Sequence, residues 1–310
     1  MKIAIIFGGI SFERNISIKT AKSILLNVDN QHDMVEIDFN GSIDKLIDEI
    51  KINKAELVFN ALHGGDGENG VVQKALEENN IPFTGSSSSA CKKAINKAIT
   101  RDICIDNDIP VPEGYHITGV NDIEVTLQQF FNKKGNVVIK PVDEGSSADL
   151  YIFPMLKEES DDLSRILIRK IKFMLKKYGE LLLEQYIPGR ELTVAILDNK
   201  VLPIVEISPK ENFYDYECKY TDGMSEYLVP AKLNFRVQKE IEENALKLYN
   251  VLGCRHYSRI DIRLDDENNI YILEINTLPG MTQTSLFPKA ATVYGIKFRK
   301  LINKIINLAK

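Results

Sequence analysis

Residues 258–276, SRIDIRLDDENNIYILEIN, hold two runs of alternating apolar and polar residues on either side of a turn-rich DDENN. Period-two alternation marks a strand with one buried face, and two such runs around a short polar turn read as a β-hairpin. The same period restricts register, because a slip of one residue turns every side chain to the opposite face. Pairing Asp265 with Ile270 sets Leu264 against Tyr271, Ile262 against Leu273 and Ile260 against Ile275, with the large apolar side chains together on one face. The other face then carries Arg259, Asp261 and Arg263 against Asn276, Glu274 and Ile272, so that Asp261 stands directly across from Glu274.

Like charges opposed across two strands repel, and a cation must offset them. Asp261, Glu274 and Asn276 are hard oxygen donors, the set that suits Mg²⁺ beside phosphate groups. Arg259 and Arg263 offer a second solution, a surface ion-pair lattice, and the hairpin taken alone favours it. Beyond Asn276 the strand breaks at Pro279-Gly280 into a hydroxyl-rich stretch with Thr282, Thr284 and Ser285. Its N–H groups and hydroxyls could hold a carboxylate or a developing oxyanion, or could form a plain polar loop or helix N-cap.

The chain of 310 residues, 44% apolar, is long enough for two or three domains. Residues 1–85 alternate strands (KIAIIF, MVEIDF, ELVFNAL, IPFTG) with helices, one over about 17–27, another between MVEIDF and ELVFNAL and one from about 70, an order that implies βαβ units and a parallel sheet. Ser86–Ser89 lead straight into a helical pattern and read as an N-cap cluster rather than a linker. From Val111 the pieces shorten to NVVIKPV, LYIF and a charged helix over 158–177, the pattern of a small α+β unit. After LLLEQYIPG come strands ELTVAIL, KVLPIVEI and EYLVPA, a helix over 236–252, the hairpin and two closing helices. The expected division is 1–86, 87–180 and 181–310. A net charge of −5 gives no broad basic footprint for nucleic acid. No apolar run reaches membrane-spanning length and MKIAIIFGG is too short for a signal core, so a cytoplasmic protein is expected. Cys91, Cys104, Cys218 and Cys254 form no CxxC pair and are read as reduced thiols.

Several stretches carry weaker signals. Lys140 ends NVVIK and precedes PVDEGSSAD, whose Gly145-Ser146-Ser147 could lay backbone donors over phosphate oxygens, although the Walker spacing is absent. Lys97 is a second phosphate candidate. Glu184 and Glu191 flank YIPGR, where carboxylates and backbone could take an adenine amine and ribose hydroxyls, or where an ordinary hairpin could expose two acids. Gly8-Gly9 follow the first strand without the third glycine of a dinucleotide fingerprint, which disfavours a nicotinamide dehydrogenase. HGGDGENG, 63–70, combines close-approach glycines with titratable His63 and Glu68, and FYDYECKY, 213–220, reads as a lid.

Taken together, GGISFERNIS, KPVDEGSS, EQYIPGRELTVAIL, FYDYECKY, RIDIRL and EINTLPGMTQTSLFP closely resemble the D-alanine:D-alanine ligases of the ATP-grasp superfamily, in order and over essentially the whole chain. The resemblance implies an α/β (α+β) ATP-grasp fold of three domains, with an N-terminal Rossmann-like parallel sheet and ATP between the other two. It implies phosphate contacts from Lys97 and Lys140, adenine contacts from Glu184 and Ile187, and a ribose contact from Glu191. Mg²⁺, as two ions or replaced by Mn²⁺, would be held by Asp261, Glu274 and Asn276. Glu13 matches the acid that holds the first D-alanine's ammonium, with Ser146 and Tyr220 linked to it. Lys219 matches a lid lysine near the transferred phosphate. Arg259 and the Gly280 N–H match stabilisers of the tetrahedral intermediate, Ser285 and Leu286 match the site of the second carboxylate, and His63 has a counterpart near the substrates. The implied reaction passes through an acyl phosphate to D-alanyl-D-alanine, a peptidoglycan precursor, and Tyr220 is associated with dipeptide formation. A homodimer is also implied.

The chain departs from the family pattern at Asn69, Asn96, Asp149 and Leu150. A carboxylate at Asp149, where a glycine usually closes the phosphate loop, is expected to repel nucleotide phosphates and weaken ATP binding unless it points to solvent or pairs with a lysine. Competing readings are a D-alanyl-D-lactate or D-alanyl-D-serine ligase and a degenerate ATP-binding homologue. The intact Lys97, Lys140, Asp261, Glu274, Asn276 and Arg259 argue against the last.

Overall fold

A continuous apolar run suits a strand covered on both faces, and the first strand is of that kind. The computed structural model describes the chain apart from residues 122, 124–125, 128–134, 146–148, 156–160 and 210–224. β1 (Lys2–Gly8) is followed by α1 (Arg14–Leu25), β2 (Asp33–Phe39), α2 (Ile43–Ile52), β3 (Leu57–Asn60) and α3 (Val71–Glu78). The strands form a parallel sheet of order β2-β1-β3. Alternate residues of β1 enter different cores: Ala4 and Ile6 share one with Leu46, Ile50, Val72 and Leu76 of α2 and α3, while Ile3 and Ile5 enter the other with Ile24 of α1.

The serine cluster does cap a helix. Ser87 Oγ accepts from Ala90 N (3.3 Å) at the start of α4 (Ser88–Ile95), and Asn96 Oδ1 accepts from Ile99 N (3.0 Å) at the start of α5 (Lys97–Asp106). β4 (Gly114–Ile117), β5 (Gly135–Pro141), β6 (Tyr151–Met155) and β7 (Leu181–Gln185) form an antiparallel sheet of order β4-β7-β5-β6. α6 (Asp161–Tyr178) covers one face of it through Leu167, Ile171, Met174 and Leu175.

The third sheet comprises β8 (Arg190–Leu197), β9 (Lys200–Val201), β10 (Val205–Pro209), β11 (Ser225–Leu228), β12 (Tyr257–Leu264) and β13 (Ile270–Asn276), all antiparallel. α7 (Phe235–Leu252), begun by the Asn234 cap and ended by left-handed Gly253, packs Ile241, Ala245 and Leu248 into the core of Val194, Ile260 and Ile262. After α8 (Leu286–Val293), α9 (Phe298–Leu308) sets Leu301, Ile302, Ile305 and Ile306 into one core with Ile3 and Ile5 of β1 and Leu197 and Val205 of the third sheet. The final helix therefore fastens the first sheet to the third.

Sheet membership differs from the expected division in two respects. β7 follows residue 180 yet pairs with β4 and β5, because Leu181 and Leu183 belong to the core under α6. α4 and α5 lie in 87–180 yet contribute Ala94 and Cys104 to the third sheet's core. Among the described residues no helix is long and apolar enough to cross a membrane.

The hairpin register is half as expected. Arg259↔Asn276, Ile260↔Ile275 and Asp261↔Glu274 pair as the alternation requires, but a β-bulge then intervenes and Ile262 pairs with Ile272, Arg263 with Tyr271 and Leu264 with Ile270. The bulge leaves Leu273 without a partner, so Ile270, Ile272 and Ile275 are all buried in the core while Leu273 is half-buried beside Glu274.

Candidate active site

Two clefts meet at a common wall made by Lys97 and Glu274, each of which lines both. Lys97 reaches that position because α5 starts there: its backbone N donates to Val142 O (2.7 Å), its Nζ donates to Glu144 O (2.6 Å), and Nζ lies 3.5 Å from Glu274 Oε2. Opposite Glu274, Asp261 is gripped by the Arg259 fork, with Nε at 2.9 Å and Nη2 at 2.8 Å, and accepts from Thr193 Oγ1 at 2.6 Å. Arginine neutralisation and a metal-ready donor set thus coexist on one face. Asn276 Oδ1 accepts from Leu278 N (2.8 Å), which fixes the carboxamide as the strand ends. Among the described residues no three His, Cys, Asp or Glu side chains form a metal-binding group; the candidate set here is two acids and one amide. Those hard oxygens on adjacent strands fit Mg²⁺ or Mn²⁺ completed by water and phosphate oxygens.

The first cleft lies between the second and third sheets and includes Lys140, Glu184, Ile187, Glu191, Arg263 and Leu273 in its lining. Alternation explains the placement: Leu181 and Leu183 go to the core, so Glu184 faces the cleft, next to Lys140 on β5. Lys140 Nζ and Glu184 Oε2 are 2.5 Å apart, with both side chains buried. Arg263 organises the crossing between the sheets, donating to the carbonyls of Ile187 and Gly189 (3.0 Å each) and to Glu191 Oε2 (3.2 Å). Gly189 has φ +116, and a Cβ there would lie 2.3 Å from the Leu264 carbonyl oxygen, so the crossing requires glycine.

The second cleft includes Glu13, His63, Arg259, Gly280, Ser285 and Leu286. Glu13 is buried at the start of α1, where its carbonyl accepts from Ile16 and Ser17 N–H groups. Ser11 Oγ donates to His63 O (2.7 Å), tying the two loops together. His63 is buried between Thr20 Oγ1 at Nε2 (2.9 Å) and Glu68 Oε1 at Nδ1 (3.5 Å). A side chain at Gly64 would meet Glu13 Oε2 at 2.6 Å, so the glycine-rich turn lets backbone approach the acid. Ser285 precedes α8 without capping it; its Oγ instead accepts from Thr282 N (3.1 Å) and lies 2.8 Å from Thr282 Oγ1. The uncapped α8 N-terminus beside Gly280 is suited to a carboxylate.

All the expected residues that are described fall at these two clefts. Ser146, Lys219 and Tyr220, with the FYDYECKY stretch, lie outside the described residues. The departures have local accounts. Asn96 caps α5, and Asn69 Oδ1 accepts from Val71 N (3.0 Å) at the start of α3. Asp149, expected to repel phosphates, meets the stated exception: its Oδ2 is 2.7 Å from Lys177 Nζ and also accepts from Tyr178 Oη, while Oδ1 accepts from Tyr151 Oη (3.0 Å). The Lys177 hydrogen bond, then that of Tyr178, hold its pKa down at about 2. Thr193, Leu273 and Tyr227 were missed. The first looked like an interior strand residue, the second is exposed to the cleft by the bulge, and Tyr227 of β11 carries no local signal, though it lines the second cleft beneath Lys289 (3.9 Å from the ring).

An N-terminal parallel sheet followed by two antiparallel sheets that enclose a cleft between them defines an ATP-grasp enzyme. The structure matches the D-alanine–D-alanine ligase of Bacillus anthracis complexed with ATP, with a TM-score of 0.85 and 31% identity over 100% of this chain and 97% of that one. It matches the VanG D-Ala:D-Ser ligase of Enterococcus faecalis with a TM-score of 0.81 and 26% identity, over 100% and 99% of the two chains. Residues 103–307 fit the family described as D-ala D-ala ligase C-terminus. The D-alanine–D-alanine ligase of Aquifex aeolicus is 39% identical over 99% of this chain and 100% of its own. This chain belongs to the D-alanine–D-alanine ligase family.

Proposed function

We propose that the chain uses ATP to join two D-alanines into D-alanyl-D-alanine through an acyl phosphate, as a peptidoglycan precursor in the cytoplasm, acting as a homodimer. The observation that carries the reading is the common Lys97–Glu274 wall: the cleft lined by Lys140, Glu184 and Glu191 and the cleft lined by Glu13, Arg259 and Ser285 meet at one cation and one carboxylate. With the γ-phosphate at that junction and the first D-alanine's ammonium held by Glu13, that D-alanine's carboxylate would take the phosphoryl group and ADP would leave. Glu184, Ile187 and Glu191 orient the base and ribose, and Lys140 and Lys97 neutralise phosphate charge. Asp261, Glu274 and Asn276 would hold Mg²⁺, which when bound supplies charge compensation for the transferred phosphoryl group.

Once the acyl phosphate has formed, the deprotonated second amine attacks its carbonyl, the C–O bond to phosphate breaks and inorganic phosphate leaves. Arg259 and the Gly280 N–H would stabilise the resulting oxyanion, while Ser285 and the α8 N-terminus would hold the acceptor carboxylate. The test is incubation with ATP, Mg²⁺ and D-alanine, with D-lactate or D-serine offered in parallel, and measurement of phosphate release and product mass. D-Ala-D-Ala formed in step with phosphate supports the reading. Turnover only with another acceptor overturns the substrate, and ATP binding without turnover overturns the activity. Light scattering of the purified chain tests the dimer.

A further inference from the structure

Asp149 sits beside the nucleotide cleft without lining it, whereas its neighbour Leu150 does line it. Its backbone is left-handed, with φ +49, a region that Asp, Asn and Gly enter more readily than other residues. Its carboxylate gathers Lys177 Nζ (2.7 Å) and Tyr178 Oη from the last turn of α6, and Tyr151 Oη (3.0 Å) from the first residue of β6. The same helix grips this strand start again, because Lys170 Nζ lies 3.4 Å from the Tyr151 ring centroid. One acid thus joins a helix end, a strand start and the residue that walls the cleft.

We propose that Asp149 is a positioning residue for nucleotide: it latches Leu150 and the start of β6 to the end of α6, and so holds one wall of the ATP cleft in place. The inference rests on the ATP-dependent reading given above. Two effects of opposite sign compete at this position. An uncommitted carboxylate beside a triphosphate weakens binding by repulsion, whereas a latch strengthens it by pre-ordering the wall. The geometry favours the latch, since the charge is paired with Lys177 and hydrogen-bonded on both oxygens. The low pKa of the acid agrees, because the carboxylate stays ionised across the working pH range.

The sign of the change in ATP affinity tests the inference, measured by calorimetric titration of ATP and by the ATP KM at saturating D-alanine. Asp149→Gly keeps the backbone and removes the latch; Lys177→Met removes its cation; Asp149→Asn keeps the backbone with a weaker acceptor. Lys177→Met is expected to weaken ATP binding about two- to fivefold, the loss of one partly exposed charged contact, and Asp149→Gly, which also gives up the Tyr178 and Tyr151 hydrogen bonds, about three- to tenfold, with Asp149→Asn between Asp149→Gly and the wild type. The kcat should stay within about twofold and the D-alanine KM should not move, a split that general loosening of the fold would not give. Tighter ATP binding by Asp149→Gly overturns the latch in favour of repulsion, and unchanged binding by either Asp149→Gly or Lys177→Met overturns it equally. If Asp149→Gly fails to fold, Lys177→Met and Asp149→Asn decide the matter by the same readout. The calorimetric arm does not require turnover. A wild type that binds ATP but makes no dipeptide, with variants weakened as stated, sinks the proposed reaction and leaves the latch standing.

Discussion

Lys140→Met removes the cation from a buried pair and leaves Glu184 behind. The side chains are 8% and 5% exposed and the charged atoms are 2.5 Å apart, so water cannot take the place of the missing partner. Breaking a buried pair from one side costs roughly 3–5 kcal/mol, whereas replacing both partners by neutral groups of similar size is close to neutral. Lys140→Met should therefore lower the thermal midpoint by about 5–8 °C for a chain of this size. Lys140→Met/Glu184→Gln should recover most of that loss, with a coupling of about 2–3 kcal/mol in the cycle. The assay is calorimetric unfolding of the wild type, both single variants and the double variant in one buffer without nucleotide. A shift of under about 2 °C for Lys140→Met, or a double variant as damaged as the two singles summed, would refute the claim that these charges depend on each other. All three variants should lose ATP affinity whatever their stability, because each lacks a group expected to face the nucleotide.

Gly189→Ala should destabilise the crossing between the second and third sheets by roughly 2–4 kcal/mol, since the new Cβ meets a backbone carbonyl at 2.3 Å; an unchanged thermal midpoint speaks against that contact. Arg263→Lys keeps the charge and loses the fork that fixes the Ile187 and Gly189 carbonyls, so the ATP KM should rise about tenfold with the D-alanine KM unmoved, as read from kinetics with each substrate varied. Burial lowers the His256 pKa to about 4. With its folded pKa below the unfolded value, the unfolded state binds the extra proton between about pH 6.5 and 4, and stability falls as pH drops through that window, by about 1–2 kcal/mol once solvent screening of this half-buried ring is allowed for. Thermal midpoints of wild type and His256→Asn across pH 4–7 should show this slope reduced in the variant, and equal slopes would rule His256 out as its source.

The hairpin shows how far sequence reaches. Arg259, Asp261, Glu274 and Asn276 were placed on one face by alternation alone, because burying Ile260 and Ile275 leaves no other register at that end of the ladder. Alternation failed three residues away: it assigned Leu273 to the core on hydrophobicity, whereas the bulge buries Ile272 and turns Leu273 toward the cleft beside Glu274. An apolar wall for a ligand and an apolar core residue look the same in sequence. Contacts between distant segments were equally hidden. Thr193 supports Asp261 from a strand 68 residues earlier, and Asp149 finds Lys177 across 28 residues and a sheet. The charge of Asp149 was legible, but its partner depended on how α6 lies over β6.

The packing of α9 against β1 has a consequence for how the chain is made. Ile3 and Ile5 leave the ribosome about 300 residues ahead of the Leu301, Ile302, Ile305 and Ile306 side chains that complete their core. At about 5–20 residues per second the gap lasts roughly 15–60 s. Throughout that interval one side of the amino-terminal sheet is unfinished and sticky. Emergence of α9 is thus also the step that seals the first domain, and a chain terminated before residue 298 would expose that face for its whole lifetime.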